Sequence, residues 1–196
     1  MFYEIAHFFQ NRVPFVWNCI EGLNSLLFSL RYRKGLQSIP DVLSEYESIF
    51  AIDDDDVENL VEFFASQPEE SFRYFNPHKF DADTIKKLVA RKSFLLFAVN
   101  DSSGSIIGYF FLRCFFVGKA FLGRMVDFRS QGKGIGKEMN RCAMDVASSL
   151  GIRMFETVSK DNPASLYSVQ RALETRVLKE FDNGDLYIED LRKIEQ

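Results

Sequence analysis

Three glycines at alternate positions, Gly132, Gly134 and Gly136, stand where the chain passes from a strand into a helix, in "FRSQGKGIGKEMN" (residues 128–140). Glycine costs roughly 1 kcal/mol against alanine inside a helix, so three of them at a helix start serve another end. Downstream, Ile135, Met139, Cys142, Ala143, Val146 and Leu150 make one apolar helical stripe, and Gly151 is a C-terminal stop. Upstream, "KAFLGRMVDF" reads as a strand. A helix start has unsatisfied N–H donors and a partial positive charge. With no Cβ atoms in the way an anionic group can approach these donors closely, and phosphate is the usual guest. Lys133 and Lys137 add positive charge.

Two phosphate-binding patterns fail here. The mononucleotide loop G-x-x-x-x-G-K-[ST] needs a glycine where the chain has Gln131 and a hydroxyl where it has Glu138. The dinucleotide pattern G-x-G-x-x-G fits Gly132 and Gly134, but its third glycine falls on Lys137. That pattern also belongs to an early parallel βαβ unit, whereas this loop follows an antiparallel meander.

The remainder reads as a mixed α/β domain (residues 46–196) behind a helical arm and connector (residues 1–45). In residues 1–36, Val13, Trp17, Ile20, Leu23, Leu27 and Leu30 recur every three or four residues, and Arg31, Arg33 and Lys34 follow. This apolar face is expected to pack on the main domain, on a second copy in a homodimer, or peripherally on a membrane surface. "QSIPDVLSEY" reads as a connector, because Pro40 interrupts a continuous helix. A short strand precedes "DDDDVENLVEFFAS", a helix whose Asp53–Asp56 run acts as cap and dipole partner, with a metal site as the alternative. An aromatic, basic loop ("PEESFRYFNPHKF") and a second helix lead to "SFLLFAVN" and "SIIGYFFLRCFF", which form a hairpin. After Gly151, "IRMFETVS" is a strand and "NPASLYSVQRAL" a helix capped by Asn162 with Pro163 first. A hairpin turning at Asn183-Gly184 closes the chain.

Composition narrows the function classes. The 196 residues are 46% hydrophobic with 21 Phe, enough for a real core. A net charge of −4 argues against a nucleic-acid partner, which calls for a basic face. Three cysteines without C-x-x-C spacing and two distant histidines suggest no metal site. Reduced, buried, inert thiols, no signal peptide and no spanning segment lead to a cytoplasmic expectation.

Gln131-Gly132-Lys133-Gly134-Ile135-Gly136 closely resembles motif A, [QR]-x-x-G-x-[GA], of the GNAT superfamily of N-acetyltransferases. The order of elements over about three quarters of the chain is similar to that family's fold, a mixed, mostly antiparallel sheet flanked by helices. The resemblance implies an acetyl-CoA site. The pyrophosphate would lie on the amides of Lys133 to Lys137. The pantetheine arm would run between "FLGRMVDF" and "IRMFETVS", two strands that splay apart, with Asn162 touching it. Main-chain N–H groups around Met125 and Val126 would polarise the thioester carbonyl.

Transfer to an amine also needs proton handling. Candidate bases are Glu156, Asp127 and His78. Glu156 shares strand alternation with Met154 and Val158, so it is a buried base or the partner of Arg153 or Arg124. Asp127 is a base or a brace for the loop, and His78 a base or a packing residue. The family commonly places a Tyr proton donor seven residues after the Asn, followed by Gly-Phe. Here those positions hold Val169, Leu173 and Glu174, and Tyr167 comes two residues early, about 200° round the helix. Tyr167 is therefore a displaced donor or a packing residue. In the aromatic loop, Arg73, Tyr74, Phe75 and His78 are the candidate acceptor-binding residues, with a core role as the alternative. The expected activity is acetyl transfer to a small primary amine such as an amino sugar. A protein amine and a non-catalytic CoA-binding module are the alternatives.

Overall fold

The computed structural model describes residues 14–192, with side chains from residue 19 onward. Helices α1 (Pro14–Arg31) and α2 (Arg33–Leu43) precede strand β1 (Ile49–Ala51) and helix α3 (Val57–Ala65). A single turn at Glu69–Phe72 and helix α4 (Ala82–Val89) lead into strands β2 (Phe94–Asn100), β3 (Ile106–Phe115) and β4 (Lys119–Val126). Helix α5 (Ile135–Leu150), strand β5 (Arg153–Ser159), helix α6 (Pro163–Ala172) and the hairpin β6 (Glu174–Glu180)–β7 (Asp185–Leu191) complete the chain.

The seven strands form one sheet in the order β1-β2-β3-β4-β5-β7-β6. Every neighbouring pair is antiparallel except β4–β5. That parallel pair follows from the crossover through α5. The α5 stripe covers one sheet face, packing Met139, Cys142, Ala143 and Val146 against Phe110, Leu112, Leu122 and Met154. On the other face, Leu60, Phe63 and Phe64 of α3 and Ile85 of α4 meet Leu96, Tyr109 and Phe111. Cys114 and Cys142 are buried, and burial pushes both thiols up, out of the nucleophilic range. Cys19 departs from the expectation of buried thiols, since it is exposed on α1.

Two parts of the N-terminal section depart from the sequence reading. The connector is helical: α2 runs through Pro40. A proline inside a helix costs about 3 kcal/mol. Here Pro40 is exposed, while Ile39 is buried in the core and Leu36, Val42 and Leu43 pack against it. The Tyr46 hydroxyl donates to Asp145 on α5 at 2.5 Å, fixing the end of the segment. Burial of one face thus outweighs the proline penalty.

The second departure is in α1. Glu21 and Phe28 are buried, whereas Ile20, Leu23, Leu27 and Leu30 of the expected packing face are exposed. Val13 and the Trp17 side chain lie outside the described residues. Polar anchors decide which way the helix faces. Glu21 is ion-paired with Arg113 on β3, and the Asn24 amide donates to Cys114 O at 3.0 Å. The Phe116 N–H donates back to Asn24 Oδ1 at 3.1 Å.

Candidate active site at the exit of β4

The glycine segment begins where β4 ends. The Asp127 N–H still donates to Ile107 O of β3 at 2.9 Å, and a single turn at Phe128–Ser130 follows. Gly132 (φ 77°) and Gly134 (φ 87°) are left-handed, a conformation that costs any L-residue with a Cβ. A Cβ at either would meet nothing within 4 Å, so backbone angle and not space requires these glycines. The first donors to find helical acceptors are Lys137 and Glu138, both on Gly134 O at 3.0 and 3.1 Å. The preceding amides, with Gln131, Lys133 and Gly134 exposed around them, open to solvent at the positive end of α5.

Gly136 also lies close to α6, where a Cβ would stand 2.7 Å from Ser168 Oγ. Ile135 is a core residue.

Asp127 is a brace. Its buried carboxylate accepts from Gln67 Nε2 at 3.1 Å and from Arg129, while Gln67 Oε1 accepts from the Phe128 N–H at 3.1 Å. Gln67 thereby ties the end of α3 to the exit of β4. Nothing in the sequence marks it, because the contact joins segments sixty residues apart.

Strands β4 and β5 pair only over Lys119–Phe121 and Arg153–Phe155, then separate. Main-chain groups alternate sides along a strand. Asp127 donates to β3, and the β3 register pairs Tyr109 with Met125 and Phe111 with Gly123. Met125 therefore turns its amide to β3, and Arg124 and Val126 turn theirs to the β5 side, where the ladder has stopped. Of Met125 and Val126, the amides expected to face a thioester, Val126 points to the β5 side and Met125 to β3, and the Arg124 amide also points to the β5 side.

A buried charge cluster bridges the parting strands. Arg124 is ion-paired with Glu156, and its second nitrogen donates to Ser165 Oγ on α6 at 2.9 Å. Glu156 is buried, and its other oxygen has no hydrogen-bond partner. Of the two sequence readings, pairing with Arg124 is the one found. Asp190 on β7, unmarked by any motif, is buried nearby with neither oxygen hydrogen-bonded. Burial, followed by the adjacent Glu156 charge and opposed by Arg124, pushes its carboxyl up to about 8.

On α6, the Asn162 side chain accepts from the Ser165 N–H at 3.2 Å, so it caps the helix as expected, and its amide donors remain for another partner. Val169 is buried and Tyr167 is exposed on the outer side beside Arg171. The two-residue offset from Val169 turns Tyr167 about 200° round the helix.

The aromatic loop divides. Phe75 packs against the core, and His78 sits among Phe64, Phe80, Phe94 and Phe111. Its Nε2 is 3.0 Å from the buried Tyr109 hydroxyl, and burial lowers its pKa. Both are half-buried against the core. Arg73 and Tyr74 are exposed, and the Tyr74 hydroxyl donates to Asp161 O at 3.1 Å, bringing the loop to the β5–α6 connection. Among the described residues no group of three or more potential ligands could hold a metal ion. Asp56 is the N-cap of α3 but makes no side-chain cap bond; it accepts from the Asp53 N–H and Asp53 from the Asp55 N–H, so the acids brace the turn before the helix in place of the expected cap.

Solved structures share this fold. The GNAT domain of S. lividans PAT is 21% identical with a TM-score of 0.64, over 73% of this chain and 89% of that one. A spermidine N-acetyltransferase from Vibrio cholerae is 17% identical with a TM-score of 0.55, over 74% of this chain and 94% of that one. AAC(6')-Ib in complex with Parmomycin and AcetylCoA is 13% identical with a TM-score of 0.58, over 74% and 92%. At these identities the likeness is one of fold. A search of curated proteins finds no match. The family model described as "Acetyltransferase (GNAT) domain" matches residues 49–172, more than half the chain. The protein belongs to the GNAT family and is an acetyl-CoA-dependent N-acetyltransferase.

Proposed function

We propose that this enzyme acetylates the primary amine of a small cationic molecule by direct attack in a ternary complex. One observation carries the reading: two sets of open main-chain donors, residues 132–136 and Arg124 with Val126, lie at opposite ends of one strand exit. The first suits a pyrophosphate, with Lys133 and Lys137 as counter-charges. The second suits a thioester carbonyl. Acetyl-CoA supplies the activated acyl group. The free amide of Asn162 is disposed to hold the pantetheine arm. Arg73 and Tyr74 border the acceptor, and Glu69 and Glu70, which with Phe72 and Arg73 line an open hollow on the same segment, supply the negative charge for a cation.

Glu156 is paired with Arg124, Asp127 with Gln67 and Arg129, and His78 with Tyr109. On this reading the amine loses its proton to water, and turnover follows the fraction of neutral amine. With an ordinary alkylamine pKa near 10, kcat/KM rises about tenfold per pH unit through neutrality. A plateau in the wild-type pH profile that Glu156→Gln abolishes would assign the proton to Glu156 instead.

Thermal unfolding with acetyl-CoA tests the binding half. Ligand at a hundredfold its Kd adds about 2.7 kcal/mol of stability. We expect that gain in wild type and not in Gly134→Glu, and Lys133→Glu serves as a second variant free of backbone strain. Coenzyme A release across polyamines, amino sugars and lysine peptides identifies the acceptor, and release with lysine peptides alone would select a protein amine.

A further inference from the structure

We propose that the outer face of α1 docks this enzyme on a membrane surface bearing anionic lipids. Ile20, Leu23, Leu26 and Leu30 are 50%, 57%, 56% and 67% exposed. Leu23, Leu26 and Leu30 project directly opposite Glu21 and Phe28, the side chains that hold the helix on the domain. Along the edge of this stripe lies the β3–β4 turn, whose Phe116 and Val117 are also exposed. The turn is fastened to the helix: Arg31 donates to Phe116 O at 3.0 Å, and Asn24 accepts from the Phe116 N–H. Helix and turn thus present one apolar surface on a rigid support. Exposed apolar patches of this kind mark interaction sites.

Charge selects the occupant. Immediately beyond Leu30, an open cavity of about 560 Å³ is lined by Leu30, Arg31, Tyr32, Arg33, Lys34, Gly35 and Leu150. Arg33 and Lys34 are exposed and have no ion-pair partner among the described residues. Glu21 is the sole acid of α1, and it is buried against Arg113. A second copy of this chain stacked on the stripe would therefore bring cationic ends to a helix with no outward acid to meet them. A bilayer with anionic headgroups takes the leucines into its interface and neutralises the three cations at the helix end. Among the described residues no helix is long and apolar enough to cross a membrane, so the geometry points to a helix lying on the surface.

The test is co-sedimentation of the full chain with phosphatidylcholine vesicles, with and without phosphatidylserine, in the absence of acetyl-CoA. Wild type should pellet with the anionic vesicles, and added salt should weaken binding. Leu23→Ser/Leu30→Ser should lose roughly tenfold or more in partitioning. Arg33→Glu and Lys34→Glu should each lose roughly fivefold or more. Both sets change exposed residues, and unchanged melting temperatures verify folding. Failure of wild type to bind, or equal binding by the leucine variant, overturns the proposal. So does self-association by sedimentation, abolished in the leucine variant, without vesicle binding; a second copy would then be the occupant.

Discussion

Helices α1 and α5 carry comparably regular apolar stripes and use them in opposite ways. The α5 stripe is buried from Ile135 to Leu150 under the sheet. The α1 stripe is exposed from Ile20 to Leu30, and the helix is held by a carboxylate, an amide and one phenylalanine. The difference teaches that a 3.6-residue period specifies a helix and its apolar side, and leaves open what covers that side. For α5 the cover is the sheet that its own flanking strands build. For α1 the attachment is decided by Glu21 and Asn24, which reach the β3–β4 hairpin more than eighty residues away.

The largest effect expected from breaking this contrast is in α5. Met139→Ala should cost about 2–5 kcal/mol in denaturant unfolding, since the residue is fully enclosed. A cost below about 1 kcal/mol would mean the cavity collapses freely. Glu21→Ala should cost about 1–3 kcal/mol by deserting partly buried arginines, and should release α1 to proteases. The outward leucines set the lower bound: Leu23→Ser should stay within about 0.5 kcal/mol. A clear loss there would mean the stripe is covered within the molecule.

Strand β7 repeats the lesson in charge, because Glu189 and Asp190 take opposite sheet faces. On one face, Arg153 first and Arg176 second hold the Glu189 carboxyl down at about 2. Glu189 contributes stability above its unfolded value near 4, lost as pH falls toward 2. On the other face Asp190, raised to about 8, binds its proton more tightly folded than unfolded. Its effect is a loss of stability as pH rises from about 4 to about 8. Unfolding scans of Glu189→Gln and Asp190→Asn should flatten the acid and the neutral limb respectively. Exchanged limbs would mean that the faces have been assigned the wrong way round.

Most of the fold was legible because its signals are local. Alternation and turn residues located the β2–β3 and β6–β7 hairpins, and the glycine pattern with its flanking strand and helix located the site. What was illegible depends on contacts between distant segments. Pro40 was an apparent stop until the burial of Ile39 was known. Gly136 shared the spacing of Gly132 and Gly134, which says nothing of its closeness to Ser168 on another helix. Glu156 offered two partners, and only the parting of β4 from β5 brings Arg124 to it. Gln67 and Asp190 carried no sequence signal, since any polar residue reads as solvent-facing until its neighbours are placed.

The parting of β4 from β5 also leaves a mark in time. Amides of Gly123 and Met125 are tied to β3, and those of Arg124 and Val126 are not tied to β5. Hydrogen exchange along this central strand should therefore alternate residue by residue, slow at 123 and 125 and fast at 124 and 126. Rapid exchange ordinarily belongs to edges and ends. Here it would occur in the middle of a seven-stranded sheet, and its slowing would report directly whatever fills the gap.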